Sequence, residues 1–241
     1  MKKRIGIVMV WLLLWQGLCL YIHNDILLAG PLETLRTLLQ MLQEKEVYQA
    51  LLFSMIRIIG GFLTGSVLGI VLGWLAYRIS VLADIFAPMI VTLKAVPVAS
   101  FVIMLLIWAG NVNLSFLISL LVVFPFLYIN TLEGLRTTSR DLIEMASVFH
   151  IPWANRFRYI YFPHLYGYLY SAFQIALGMC WKSGVAAEVI GQPLHSIGNG
   201  LYRAKIYLET GELFAWTILV IVLSRIIEYV FLYLFRKAAR K

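Results

Sequence analysis

The sequence is poor in charged residues and in cysteine, and both shortages restrict what it can encode. Only 13% of its 241 residues are charged, whereas about a quarter of an average soluble domain is. This composition excludes an ordinary soluble domain. The only two cysteines, Cys19 and Cys180, both lie inside apolar runs, which argues against a disulfide framework or a cysteine metal site. We interpret both as small apolar residues.

Motifs of catalysis and nucleotide binding are also missing. No two of the four histidines stand at metal-ligand spacing on one predicted helix, and no Ser–His–acid arrangement can be read. The sequence contains no G-x-x-x-x-G-K-[ST] phosphate loop. We therefore expect no cofactor and no metal in this chain. If ATP drives this protein, another chain must hydrolyse it.

Apolar residues make up 61% of the chain and recur in runs of about 20, the length that a helix needs to cross a bilayer. The net charge of +8 does not indicate a nucleic-acid partner, because the basic residues flank the apolar runs. Such residues orient spans and contact anionic lipid headgroups. The pattern predicts an all-α, multi-pass transmembrane bundle of about six spans. These are Ile5 to Ile22, Ile58 to Tyr77, Ile85 to Ala109, Leu114 to Leu132, Tyr166 to Ile190 and Phe214 to Phe235.

The distribution of basic residues predicts the orientation of these spans. If the N-terminus lies in the cytoplasm, the inner segments hold twelve Lys and Arg residues and the outer segments hold four. The positive-inside rule favours this arrangement, with both termini cytoplasmic. The first span also resembles a signal peptide, but it is long for one and no small-x-small cleavage pattern closes it. We favour an uncleaved span.

The spans divide the chain into three regions. Residues 1–51 hold the first span and an external amphipathic segment, in which five leucines between Leu32 and Leu42 recur at helical spacing. Residues 52–235 form the transmembrane domain, with a long inner loop at 133–164. Residues 236–241 form a basic cytoplasmic tail. A glycine-rich polar segment, Gly191 to Gly211, connects the last two spans.

Two spans carry features that suit a moving helix bundle. Glycine recurs at every fourth position of the second span, on one helix face, where another backbone can approach closely. This predicts helix packing, or a surface that slides during transport. Pro88, Lys94 and Pro97 interrupt the third span, and a broken helix at membrane depth is tolerated only beside protein or a water-filled cavity. Lys94 and Pro97 are thus pathway candidates. The glycines are Gly61, Gly65, Gly69 and Gly73.

The inner loop, 133–164, predicts a helix–turn–helix with apolar faces. One face of the first helix holds Leu142, Met145, Val148 and Phe149. The second helix is expected to open at Pro152 and to end at Pro163, with an apolar face of Trp153, Phe157, Ile160 and Tyr161. The faces pack on the protein's own spans, or part of them docks into a partner.

The loop resembles the EAA loop of binding-protein-dependent ABC importer permeases, whose pattern is Glu-Ala-Ala, three residues, Gly, nine residues, Ile, one residue, Leu-Pro. The similarity extends from about Leu52 to Tyr229. Residues 181–191 and 197–201 resemble the nitrate, sulfonate and taurine branch of that family. The matching loop positions are Glu144, Met145, Ala146, His150, Ile160, Phe162 and Pro163.

The sequence departs from the pattern at Phe162, which replaces a leucine, at Met145, which replaces an alanine, and at His150, which replaces the glycine that turns the chain. Histidine adopts a positive φ more readily than most residues, at a cost. A tolerated substitution is a better interpretation of His150 than a pH-sensing role.

The resemblance implies a prokaryotic plasma-membrane permease with two ABC ATPase subunits that hold ATP and Mg, a second permease copy and an external solute-binding protein. It implies that the loop couples to the ATPase through Glu144, Met145, Ala146, His150, Trp153, Phe157, Ile160 and Pro163. A small solute crosses; nitrate, sulfonates, taurine and pyrimidine precursors all suit this branch.

Ionisable residues within spans are costly and mark pathways or ion pairs. Lys182 and Glu188, which are also pathway candidates, lie on the fifth span and point in different directions. Lys182 either lines the pathway for an anionic solute or pairs with Glu188 or another carboxylate. Arg225 and Glu228 are three residues apart on the sixth span and are expected to pair. Two other classes stay open, a secondary transporter driven by an ion gradient and a membrane-embedded enzyme. They would require internal repeats or clustered acid, base or metal groups, and the sequence offers neither.

Overall fold

The computed structural model describes residues 2–24 and 26–239, and this part of the chain is helical without any strand. The all-α fold class that the sequence predicts is therefore confirmed. One π-helical turn, Phe157–Tyr161, separates α8 from α9. The α-helices are α1 Lys2–Ile22, α2 Pro31–Met41, α3 Lys45–Arg78, α4 Ser80–Ala95, α5 Val98–Ala109, α6 Leu114–Arg136, α7 Arg140–Val148, α8 Trp153–Arg156, α9 Phe162–Gly191, α10 Ile197–Ile206 and α11 Thr210–Ala239.

Three helices, α3, α6 and α11, are long and apolar enough to cross a membrane, and a fourth crossing arises if α4 and α5 count as one broken span. Helix α9 has 30 residues but carries Gln174, Lys182 and Glu188, and it is not one of these three helices. The fully described apolar part of α1 is the shorter Met9–Ile22. The number of six crossings stays a prediction.

Several helices do not begin or end where the predicted spans and segments do. Helix α3 begins at Lys45, thirteen residues before the predicted second span, and takes in the end of the predicted amphipathic segment. Pro88 lies inside α4 without interrupting it, and the break falls at Val96 and Pro97, where α4 and α5 meet at 102°. A proline at position 97 cannot donate to a helical carbonyl, which favours the break there. The segment after Gly191 contains α10, a helix that the sequence did not predict.

The centre of the bundle is α6, which packs against α3 on one side and α9 on the other. A cluster of aromatic rings joins α3, α9 and α11. The ring of Phe62 lies 5.0 Å from that of Phe231 in an edge contact and 6.0 Å from that of Phe173. This cluster holds α11, whose other faces are largely exposed, onto the rest of the bundle.

The bundle has two distinct ends. At one, which we call the hairpin end and which holds α7 and α8, Trp153 of α8 lies against Arg78 in the last turn of α3. At the other, which we call the α10 end, α10 contacts α3, α9 and α11. Because α3 and α9 reach from one end to the other, they connect these two sites.

Candidate functional site

Helix α7 has a defined beginning and end. The Oγ atom of Ser139 accepts a hydrogen bond from the Leu142 N–H (3.5 Å), which satisfies one of the unpaired donors of the first turn. At the other end, His150 has φ 49°. The Ile151 N–H donates to the Ala146 carbonyl (3.0 Å) and the His150 N–H to the Ser147 carbonyl (3.2 Å). This is a Schellman cap, and His150 takes the left-handed position that the resemblance assigns to a glycine.

Arg156 closes the turn between α7 and α8. Its Nε donates to the Ile151 carbonyl (2.7 Å) and its Nη2 to the Ala146 carbonyl (2.9 Å). Hydrogen bonds that involve a charged group are stronger than neutral ones, so Arg156 fixes the angle of the hairpin. Sequence reasoning missed this role and counted Arg156 only as an inner positive charge, because no local pattern points from a side chain to a carbonyl ten residues earlier.

The second helix of the hairpin differs from the prediction. Pro152 is the N-cap residue of α8 and precedes its first turn. Pro163 does not end the helix; it lies in the first turn of α9. Proline has no N–H for the carbonyl four residues earlier and its ring clashes there. The π-helical turn, in which the Phe162 N–H donates to the Phe157 carbonyl, relieves this conflict. The hairpin therefore continues into α9.

The hairpin leaves most of its apolar surface open. Ala146 is fully buried, whereas Val148 and Phe149 are each 73% exposed. Leu142 and Met145 on the same face are exposed too, as is Glu144. Nothing in residues 2–24 and 26–239 covers this apolar surface, which is of the kind that marks interfaces.

The other side of the hairpin is anchored to α3. Ile160 and Tyr161 are buried, and the Tyr161 ring lies 6.1 Å from that of Tyr77. The Arg78 guanidinium lies 4.0 Å from the Trp153 ring, a cation–π contact. A shallow apolar groove of about 310 Å³ runs beside this anchor. It is lined by Ile70, Val71, Trp74, Thr131, Leu135, Trp153, Phe157 and Leu165.

The basic pathway candidates are exposed. Lys182 lies on a face of α9 that also presents Ser171 and Gln174, and the described residues form no ion pair with it. Lys94 is exposed in the last turn of α4, directly before the exposed Pro97. The structure does not bring Lys182 and Glu188 together.

Glu188 lies inside the bundle at the α10 end, and its exposed fraction is 0%. Its partners come from α3 and α10. The predicted ion pair on α11 is confirmed, since Arg225 Nη1 lies 2.9 Å from Glu228 Oε2. Across residues 2–24 and 26–239, no three His, Cys, Asp or Glu side chains are grouped as metal ligands.

The four glycines of α3 face α6 at close range. A Cβ atom at Gly61 would lie 2.2 Å from the Phe116 carbonyl oxygen, and one at Gly65 would lie 2.8 Å from that of Leu120. Gly69 and Gly73 have comparable neighbours at 2.7 and 2.8 Å. Any side chain on this stripe would force the two helices apart.

Comparison with known proteins agrees with this architecture. The family described as binding-protein-dependent transport system inner membrane component matches residues 50–241. The putative aliphatic sulfonates transport permease protein SsuC of Bacillus subtilis is 27% identical over 221 residues, which are 89% of this chain and 78% of SsuC. The riboflavin transport system permease protein RibX of Chloroflexus aurantiacus is 26% identical over 91% of this chain and 85% of RibX. The bicarbonate transport system permease protein CmpB of Synechococcus elongatus is 26% identical over 67% of this chain and 58% of CmpB.

The family match covers the long helices, the hairpin and α10, so it does not rest on one motif. Helices α3, α6 and α11 have the length and hydropathy of membrane spans. The chain belongs to the family of binding-protein-dependent transport system inner membrane components, and it is a membrane-embedded permease subunit of an ABC transporter.

Proposed function

We propose that two copies of this chain form the pathway of an importer for a small anionic solute. Two ATPase subunits bind ATP and Mg on the cytoplasmic side, and an external solute-binding protein delivers the solute. The observation that carries this proposal is the α7 surface, in which large apolar side chains stay exposed on a helix that is otherwise rigidly capped.

The hairpin end faces the cytoplasm in this proposal. Arg78, Arg136, Arg140, Arg156 and Arg158 cluster in or near the hairpin, and positive residues near span ends are retained on the cytoplasmic side. The α10 end then faces outward, toward the solute-binding protein.

ATP binding acts on the permease through the hairpin. The exposed face of α7 docks in a groove of the ATPase, and Arg156 keeps the angle between α7 and α8 fixed. Because α8 continues through the π-helical turn into α9, a displacement of the hairpin shifts α9. A switch of this kind needs two arrangements of the bundle that ATP binding favours unequally.

The exposed face of α9 lines the pathway in this proposal. Lys182, Gln174 and Ser171 are polar residues that would be costly against lipid, and Lys182 provides a positive charge for an anion. SsuC and CmpB are named for sulfonates and bicarbonate, which are anions, while RibX is named for riboflavin. The inference that the solute is an anion therefore depends more on the charge of Lys182 than on the names of the related permeases.

Association with the ATPase tests the proposal. We expect the variants Glu144→Lys and Phe157→Asp to reach the membrane in normal amounts but to lose most of the ATPase that purifies with the wild-type chain. Leu194→Asp is the control, since it places a charge on an exposed apolar residue at the opposite end. Normal ATPase recovery with both hairpin variants would refute the coupling role.

Uptake tests the solute class. The Lys182→Met variant removes the charge while it keeps the length of the side chain, and we expect slower uptake of a radiolabelled sulfonate or bicarbonate with unchanged ATPase recovery. Lys237→Met, at an exposed position in the last turn of α11, serves as control. Unchanged uptake in the Lys182→Met variant would remove Lys182 from the pathway.

A further inference from the structure

Glu188 is a carboxylic acid without solvent access, in the last turn of α9. A buried carboxyl group is costly unless hydrogen bonds satisfy it. Neither the hairpin nor the exposed face of α9 uses this side chain. Its surroundings therefore need an explanation of their own.

The hydrogen bonds of Glu188 connect three helices. The Ser54 hydroxyl of α3 donates to Glu188 Oε2 (2.6 Å), and the Gly198 N–H of α10 donates to the same oxygen (3.3 Å). The Ser54 Oγ in turn accepts from the Ile197 N–H (3.0 Å). The first two N–H groups of α10, which no helical carbonyl can satisfy, are thus bound by side chains of α9 and α3.

Steric contacts reinforce this arrangement. A Cβ atom at Gly198 would lie 2.3 Å from the Glu188 Cβ, and one at Gly200 would lie 2.5 Å from the Trp216 ring of α11. The two glycines let α10 touch α9 and α11 directly. This explains why glycines flank Asn199 in a helix, although each costs about 1 kcal/mol there relative to alanine.

The second carboxyl oxygen of Glu188, Oε1, differs from Oε2 in its hydrogen bonding. Ser115 of α6 faces Glu188, but among the described residues neither Glu188 Oε1 nor Ser115 Oγ has a partner in hydrogen-bond geometry. The carboxyl group thus ties α3, α9 and α10 together, and Ser115 brings α6 against the same group.

We propose that Glu188 is a positioning residue that, together with Ser54, transmits the displacement of α9 to α10, so that the hairpin and α10 move as one unit. The cause of the displacement rests on the proposed function, in which the ATPase moves the hairpin. The link itself rests on the geometry of Glu188, Ser54 and Gly198. Movement at the cytoplasmic end then changes the outer surface at which solute enters.

Cysteine labelling of α10 in the transporter complex tests this link. Tyr207, the exposed C-cap residue of α10, is replaced by cysteine in a chain with Cys19→Ser and Cys180→Ala. The labelling rate with an impermeant maleimide is compared between nucleotide-free and vanadate-trapped complexes. We expect the rate to change by at least about fivefold, the low end of typical coupling between sites.

Variants of Glu188 distinguish a role in transmitting movement from α9 to α10 from a role in stabilising the fold alone. In Glu188→Ala we expect the nucleotide-dependent change in labelling to disappear, with ATPase recovery and basal ATP hydrolysis retained. Glu188→Gln, whose amide oxygen still accepts from Ser54 and Gly198, should keep the change. Glu46→Ala, at an exposed position of α3, is the matched control and should behave like the parent.

Two results would overturn the proposal: a full nucleotide-dependent change in Glu188→Ala, or none in the parent. If Glu188→Ala does not assemble, Ser54→Ala decides, because it removes the bridge to Ile197 and leaves the Gly198 bond in place. Ser54→Ala should show a reduced change, and an unreduced one would refute the link. A parent complex without ATP-driven uptake would instead contradict the proposed function.

Discussion

The two short helices at opposite ends of the bundle are built alike. Helix α7 has nine residues and α10 has ten; the first is capped by Ser139 and the second by Ser196. Each ends at a non-glycine residue in the left-handed region, His150 or Leu208. Each also has the same closing bond, which joins the Ile151 N–H to Ala146 in one and the Glu209 N–H to Ala204 in the other (3.0 and 2.9 Å).

Their surroundings are opposite. Helix α10 begins on a buried carboxylate and contacts two helices through glycines, whereas α7 buries Ala146, packs Ile143 partly on the core and exposes its other large apolar side chains. Local capping thus makes both segments helical, and packing decides what each does. A helix that is rigid and unpacked is suited to bind another protein, and one that is packed on three sides is suited to transmit movement within its own chain.

We expect the largest effect on stability and uptake from a substitution that disrupts the packing at the α10 end. Gly198→Ala places a methyl group inside the contact with Glu188, and overpacking of this kind costs about 1–3 kcal/mol or more. We expect a lower thermal midpoint and lower uptake. Gly17→Ala on α1, where a Cβ atom meets nothing within 4 Å, should leave both unchanged. Equal stability of the two variants would contradict the close contact.

The next effect isolates the hairpin. Arg156→Leu leaves the carbonyls of Ala146 and Ile151 without their charged donor, at a cost of about 1–3 kcal/mol. We expect faster hydrogen exchange at the amide of Ile151, weaker ATPase recovery and a lower thermal midpoint. Arg156→Lys, which cannot bind both carbonyls through a planar fork, should be intermediate. An unchanged rate of hydrogen exchange in Arg156→Leu would show that Arg156 does not fix the turn between α7 and α8.

We expect a smaller effect on stability from removing either of the two serine caps. Ser196 Oγ accepts from the Asn199 N–H at 3.0 Å and donates to the Pro193 carbonyl at 2.8 Å in a buried position, while Ser139 makes one long, exposed bond. Loss of a cap typically costs about 1 kcal/mol. We therefore expect Ser196→Ala to destabilise the folded chain measurably more than Ser139→Ala in chemical denaturation. The reverse order would contradict the difference in packing.

The smallest effect concerns the left-handed residues. His150→Gly and Leu208→Gly each relieve a conformation that is costly for a side chain, by about 1 kcal/mol. We expect slightly higher stability for both, of similar size, because the strain is local and does not depend on packing. A loss of stability in His150→Gly, measured by thermal unfolding, would show that the imidazole makes a contact that outweighs the strain.

Sequence reasoning succeeded where the signal is local or periodic. The spacing of Arg225 and Glu228 predicted their ion pair, and Pro97 was one of three residues expected to interrupt the third span. Both signals lie within one or two turns of one helix, so one sequence is sufficient. At His150 the indication of a positive φ came from the resemblance, which places a turning glycine there.

The failures involve distant residues. Helix α10 escaped prediction because its glycines disfavour a helix, and only contacts with Glu188 and Trp216 make them useful. Pro163 was read as a helix end, since the π-helical turn that accommodates it depends on how α9 packs. The burial of Glu188 depends on Ser54, which is 134 residues away in the sequence.

The central claim is that the exposed face of α7 binds the ATPase, and site-specific photo-crosslinking tests it most directly. A photoreactive amino acid is placed at Val148 or at Leu194, which are 73% and 74% exposed at opposite ends of the bundle. The account predicts a crosslink to the ATPase from position 148 and none from position 194. A crosslink from position 194, or none from position 148 in a complex that hydrolyses ATP, would contradict it.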